Sequence, residues 1–343
     1  MRRWMVCILL GGLLGGVLAA PAGVAHGQGG KIVVYSALPD LETTLVNREF
    51  TRRTGIQVEA LSVAAAGTLV ARIQAERARP RADVFVGGSA DFHAPLAREG
   101  LLLAYQSPVF AEARISPAYR DPQGFWHGWY LGALGIIVNT DRFEAELAPR
   151  RVPKPATWDD LVRPEFRRLF IMPSPLTTGG GYIFVAAQIF RLGEDRAWAY
   201  LRQLHANVAQ YTPTAPGTIT LLARGEGVVG MMWAHEGIGA RLANQQPLET
   251  IVPPDTAFEI GAVSIIKGGP NPEGAKAYVD FLLTRTPQDI NARYGFRYAV
   301  RGDVPVPTGA TPFERLRFVR YDRQWAIDNM ARVRERWQRE FGR

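Results

Sequence analysis

A two-lobed α/β fold with a ligand cleft between the lobes is predicted by three observations. Short strands and helices alternate along most of the chain, the pattern of a parallel or mixed sheet covered by helices on both faces. That series runs twice, and two apolar stretches, Leu134 to Asn139 (LGIIVN) and Phe258 to Ile266 (FEIGAVSII), bridge the two runs. A length of 343 residues suits two units of ordinary size better than one.

The first 27 residues read as an export signal. Arg2 and Arg3 supply a basic start, Val6 to Ala20 is apolar but short for a membrane span, and Ala25-His26-Gly27 offers small residues where a signal peptidase reads. The expected location is periplasmic. Cys7, the single cysteine, lies in this leader, so the exported chain is expected to have neither a disulfide nor a thiol nucleophile. Losing Arg2 and Arg3 lowers the formal charge of +8 by two, to +6. Nearly all of it is arginine, and the basic run near the C-terminus is interleaved with Glu335 and Glu340, as on a solvated helix face. Nucleic-acid binding is not expected.

In the first run, Lys31 to Ser36 (KIVVYS) is a β-branched strand, and Leu41 to Thr54 a helix with Leu45, Val46 and Phe50 on one face and Gly55 as its stop. Ile56 to Leu61 alternates like a half-buried strand, Leu69 to Arg79 has helical spacing, and Ala82 to Val86 (ADVFV) is a buried strand. Gly87-Gly88-Ser89-Ala90-Asp91 opens the next helix, which Gly100 ends.

In the second run, Thr157-Trp158-Asp159-Asp160 is a capped helix start, and the stretch from Ile171 to Val185 passes from a strand end through Pro173 and Pro175 into a glycine-rich helix start. Helices are expected over 182–191, 195–204 and 219–224, and Gly227 to Trp233 (GVVGMMW) is a buried strand. Two further strands (249–252 and 258–266) and helices over 272–283 and 287–293 follow. Tyr321 to Phe341 reads as one long helix whose stripe of Trp325, Ile327, Met330, Val333, Trp337 and Phe341 packs into a core. The expected partition is a leader over 1–27, a first lobe over 30–128 and 264–343, and a second lobe over 129–263.

Ligand chemistry concentrates where a strand ends, small or hydroxyl residues follow and a helix begins. Such loops converge beyond the carboxyl ends of strands in open α/β sheets, and a helix N-terminus offers free N–H groups and partial positive charge to an anion. The candidate ligand residues are Ser36, Gly67, Thr68, Gly88 and Ser89 from the first lobe. Thr177, Thr178, Gly179, Gly180, Gly217, Thr218 and His235 come from the second. The expected arrangement puts a phosphate or phosphonate between Gly87-Gly88-Ser89 and Thr177-Thr178-Gly179-Gly180. The latter is no Walker loop, since no Gly-Lys-Ser/Thr follows its glycines.

Several segments resemble the periplasmic solute-binding proteins of ABC importers (family 1 extracellular solute-binding proteins), in the cluster that includes ferric-iron binders. They are KIVVYS, Phe50-Thr-Arg-Arg-Thr-Gly-Ile-Gln-Val58, Arg81-Ala-Asp-Val-Phe-Val86, Glu99-Gly-Leu-Leu102, Gly261-Ala-Val-Ser-Ile-Ile-Lys267 and Ala275-Lys-Ala-Tyr-Val-Asp-Phe-Leu282. The resemblance implies a type II periplasmic binding protein fold, a small solute as ligand, an inner-membrane permease as partner, no cofactor and a monomer. Ferric binders of the cluster carry adjacent tyrosines where this chain reads Met231-Met-Trp-Ala-His235. With that pair absent, the chain looks closer to the branch that carries phosphorylated organic solutes, through Gly87-Gly-Ser-Ala-Asp91, Thr177-Thr-Gly-Gly180 and Tyr321-Asp-Arg-Gln-Trp325. An iron carrier using other ligands is the alternative.

Catalysis is not expected. Gly87-Gly-Ser-Ala-Asp91 lacks the second glycine of a nucleophile elbow, and His235-Glu236 lacks the second histidine of a zinc motif, Gly239 standing there instead. An exported hydrolase pairing Ser36 or Ser89 with His235 is the remote alternative.

Overall fold

The computed structural model describes residues 30–63 and 65–342, and the expected leader with Cys7 lies outside the described residues. Eleven strands follow in order: β1 (Lys31–Ser36), β2 (Gln57–Ser62), β3 (Val84–Ser89), β4 (Leu102–Leu103), β5 (His127–Asn139) and β6 (Phe170–Pro173). Then come β7 (Val208–Thr212), β8 (Val229–Trp233), β9 (Leu248–Ile251), β10 (Phe258–Ile266) and β11 (Tyr298–Ala299). They pair in the order β2-β1-β3-β10-β5-β8-β6-β7, with β9 and β11 beside β5 and β4 beside β10.

β5 makes this two lobes. All 13 of its residues (HGWYLGALGIIVN) are buried, as expected of an apolar, β-branched strand covered on both faces. Its first half pairs antiparallel with β10, from His127↔Val263 to Ala133↔Phe258. Its second half pairs with β8, from Leu134↔Trp233 to Val138↔Val229, and with β9. One strand therefore serves two sheets, and the first crossing falls between residues 133 and 134. The second is at Thr256 and Ala257, where Leu134 N–H donates to Ala257 O at 2.9 Å and Thr256 Oγ1 donates to Leu134 O at 2.8 Å. A third pass runs beside them, since Val319 N–H donates to Thr256 O at 2.8 Å and Thr256 N–H to Arg317 O at 3.2 Å.

Each lobe has its own core. The first buries Ile32, Val34, Val46, Phe50, Trp129 and Tyr278 in one cluster and Phe85 and Leu69 in another. The second buries Phe170, Tyr182, Phe184, Trp198, Met231 and Met232.

The expected partition needs two corrections. The crossings lie at 133–134 and 256–257, so residues 129–133 and 258–263 pair within the first sheet. The C-terminal helices were assigned to the first lobe, but Ala326, Val333, Trp337 and Phe341 belong to the core of the second. The apolar stripe specifies a buried face and carries no information about which lobe receives it. That terminal stretch is also two helices, Arg323–Asp328 and Met330–Phe341, broken at Asn329. Among the described residues no helix is long and apolar enough to cross a membrane.

Candidate functional site

The cleft between the lobes is a cavity of about 70 Å³. Six helix N-termini meet there, those of Asp40–Thr54, Ala66–Ala75 and Ala90–Arg98 from the first lobe and Gly179–Leu192, Ala215–Ala223 and Ala234–Leu242 from the second. The first N–H groups of a helix have no acceptor within it, so each start presents donors and partial positive charge.

Local sequence explains how the two central loops are held. At the end of β3, Gly87 and Gly88 take positive φ of 83° and 74°, a region costly for residues with a Cβ. A Cβ on Gly88 would also come within 2.6 Å of the Ala66 Cβ. Ser89 caps the helix beginning at Ala90, accepting from Asp91 N–H at 3.4 Å. Opposite, Thr178 Oγ1 accepts from Gly181 N–H at 3.1 Å and donates to Ser174 O at 2.8 Å. Its hydroxyl proton is thereby committed to Ser174 O, and the N–H groups of Gly179 and Gly180 are the donors this loop offers to the cleft.

Of the residues expected in the site, Gly88, Ser89, Thr178, Gly179, Gly180 and His235 line the cleft. The other six do not. Ser36 is buried, sharing a hydrogen bond with Thr43 Oγ1 at 2.8 Å and accepting from Leu38 N–H. Thr218 is likewise buried against Thr212 Oγ1 at 2.6 Å. Thr68 and Thr177 face solvent. Gly67 sits one residue inside its helix beside Thr177 O, and Gly217 N–H is spent on the Thr214 cap at 3.3 Å. In three of these loops the contact passes instead to residues immediately before the helix or in its first turn, namely Pro39, Ala65, Ala66, Ala215 and Pro216.

The cleft also holds charges that the loop pattern does not announce. Glu236, Glu259 and Arg297 line it beside His235. Arg297, 4% exposed, pairs with the buried Glu42 and lies 3.5 Å from Glu236 Oε1, and its Nε has no partner. Both ring nitrogens of His235 also lack a hydrogen-bond partner. Burial, aided by the Arg297 charge, pushes the His235 pKa down to about 4, so the ring is neutral and one nitrogen keeps a lone pair. Burial pushes Glu259 up to about 8, which leaves it mostly protonated at neutral pH. Gly132 makes room for both: a Cβ there would lie 2.9 Å from the His235 ring and 3.1 Å from Glu259 Oε1. Glu259 was legible in principle as a lone charge inside the apolar strand FEIGAVSII, whereas Arg297 carried no signal. Tyr130, Phe92 and Trp233 form aromatic walls.

The C-terminal segment ties the two central loops together from behind. Arg323 Nη1 donates to Asp91 Oδ1 at 2.7 Å, and Asp91 is fully buried. Arg334 Nε donates to Pro175 O at 3.0 Å, with its guanidinium over the Phe92 ring. Among the described residues no group of three or more His, Cys, Asp and Glu is placed to hold a metal ion.

A cleft of this kind, between lobes joined by crossing strands, is a site for enclosing a small molecule. Residues 41–297 match the family model described as bacterial extracellular solute-binding protein. The chain belongs to that family. An uncharacterized protein of Haemophilus influenzae is 30% identical over 94% of this chain and 93% of its own. Among solved structures, the periplasmic binding protein AfuA from Actinobacillus pleuropneumoniae, with exogenous fructose-6-phosphate bound, aligns with a TM-score of 0.84 at 29% identity, over 91% of this chain and 99% of that one. The apo ferric ion-binding protein A of Pasteurella haemolytica aligns at 0.77 and 19% identity over 90% and 97%, a likeness of fold alone. This solute-binding protein thus has the two-lobed architecture of its relatives, and its role is that of the substrate-binding component of an importer.

Proposed function

We propose that this protein captures a phosphorylated polyol, of the sugar-phosphate class, in the periplasm and hands it to an ABC permease of the inner membrane. The observation that carries this reading is the mixed polar lining of the cleft. Helix N-termini supply free N–H donors to it, and an acceptor-rich group of Glu236, His235 and Glu259 lines it as well. The first suits a phosphate, whose oxygens accept only. The second suits hydroxyls, which donate to a carboxylate or an imidazole lone pair and accept from Arg297 Nε or a protonated Glu259. The likeness to the fructose-6-phosphate-bound AfuA supports the same class. Iron capture is disfavoured because Fe(III) calls for several anionic oxygens, while Glu236 already faces Arg297 and Glu259 is neutralised by its own proton.

On this reading the protein is exported by its leader, acts as a monomer, catalyses no reaction and engages no nucleic acid. Calorimetric titration with fructose 6-phosphate and with fructose tests it. Two charge-assisted hydrogen bonds to phosphate, at about 1.5–3 kcal/mol each, predict that fructose binds at least about 100-fold more weakly. Equal affinities, or retention of ferric ion through desalting in preference to either sugar, would overturn it.

A further inference from the structure

His93 has no place in the cleft wall, yet it holds the cleft's most constrained loop. Its ring is 0% exposed and stacks on Phe85 with centroids 4.1 Å apart and planes 12° apart. Nδ1 lies 2.7 Å from Ser264 Oγ on β10, and Nε2 lies 3.1 Å from Gly87 O. The partners dictate the tautomer. A carbonyl oxygen can only accept, so the proton is on Nε2, and Ser264 then donates to the Nδ1 lone pair. Burial pushes the imidazole pKa to about 3, so this neutral form persists across the physiological range.

We propose that His93 is a positioning residue for ligand capture: by holding the Gly87 carbonyl inward, it aims the Gly88 N–H into the cleft. The two groups belong to one peptide unit, and in a planar trans peptide C=O and N–H point in opposite directions. Turning one into the first lobe turns the other out. The Gly88 N–H accordingly faces the Tyr130 hydroxyl, and Gly88 and Tyr130 both line the cleft. The need for such a hold follows from composition. Two consecutive glycines at positive φ have wide backbone freedom, and without an anchor this peptide could rotate and withdraw its donor. Ser264 fixes the ring from a strand that also pairs with β5, so the loop's orientation is referred to the sheet that joins the lobes.

This inference rests on the anion-binding reading, and two amide variants separate it from simple packing. In His93→Gln the side-chain amide reaches about as far as Nε2 and can still donate to Gly87 O. In His93→Asn it reaches only to the Nδ1 position and leaves that carbonyl unheld. The expected result is fructose 6-phosphate affinity within about threefold of wild type for the Gln variant. The Asn variant should lose about tenfold, equivalent to about 1.4 kcal/mol, with little change in the weaker binding of fructose. Ser264→Ala, which leaves the ring stacked but unanchored, should fall between them and serves if an amide variant does not fold. The ¹H–¹⁵N resonance of Gly88 in the ligand-free protein provides the second readout, expected to move in Asn and Ser264→Ala variants and to stay near its wild-type position in Gln. Folded Asn or Ser264→Ala variants that bind fructose 6-phosphate as wild type does would overturn the proposal. Wild-type protein that fails to distinguish fructose 6-phosphate from fructose would instead defeat the anion reading. The positioning role is then decided by the Gly88 resonance: a shift in the Asn variant upholds it, and no shift overturns it.

Discussion

Replacing Arg323 by methionine tests whether the C-terminal segment clamps the two lobes. Arg323 sits on a helix whose Ala326 is in the second lobe's core, and its guanidinium meets Asp91 in the first lobe at 2.7 Å. Asp91 is fully buried, and its other side-chain contact is the Tyr321 hydroxyl at 3.5 Å. Removing one member of a buried pair strands the other charge, at a cost of about 3–5 kcal/mol. Asp91 lies in the first turn of its helix, whose dipole returns about 0.3–1 kcal/mol. The expected net loss is about 2–5 kcal/mol, measured by urea unfolding followed through tryptophan fluorescence. Adding Asp91→Asn removes the stranded charge and should recover most of that loss, a coupling that a double-mutant cycle isolates. A single variant within about 0.5 kcal/mol of wild type, or a double variant no better than the single, would refute the clamp.

Three other outcomes follow from the site. Thr178→Asp should keep the bond from Gly181 N–H, since Asp caps as well as Thr, but it loses the hydroxyl's bond to Ser174 O, at about 1 kcal/mol of stability, and sets a carboxylate against the phosphate; at about 4 Å and an effective dielectric near 20 this repulsion is about 4 kcal/mol, so fructose 6-phosphate binding should fall by roughly three orders of magnitude. Thr178→Ala should also lose about 1 kcal/mol of stability, with a much smaller effect on affinity. For the ligand-free protein, Glu259 rises from an ordinary 4.5 to about 8, so the folded state holds a proton that the unfolded chain has released. Its stabilising contribution is present below pH 4.5 and is lost as pH rises to about 8. His235 falls from 6.5 to about 4, so its contribution is present above 6.5 and lost as pH falls through about 4. Urea denaturation across pH 6.5–8 should therefore show wild-type stability declining and Glu259→Gln nearly level; parallel slopes would contradict the assignment.

The alternation of elements, the two lobes and part of the cleft lining were legible because each rests on local chemistry. Glycines at positive φ, Thr and Ser caps and β-branched strands announce themselves within a few residues, which is why Gly88, Ser89 and Thr178 to Gly180 were found. Ser36 and Thr218 misled for the same reason: a hydroxyl at a strand end reads the same whether it meets a ligand or, as here, Thr43 or Thr212. Glu259 stands out only as a lone charge in an apolar strand, while Glu42, Glu236 and Arg297 were illegible because they come from three distant segments and nothing near any of them names the others. His235 was the exception, marked by its place after a buried strand. The destination of the C-terminal helix failed likewise, its stripe being equally suited to either lobe.

The most direct test is a crystal structure of the protein with fructose 6-phosphate. The account predicts the phosphate between Gly88-Ser89 and Gly179-Gly180, accepting from their backbone N–H groups, with sugar hydroxyls directed at Glu236, His235 and Glu259. A phosphate seated against Glu236 and Glu259, or a sugar bound outside the cleft, would contradict it.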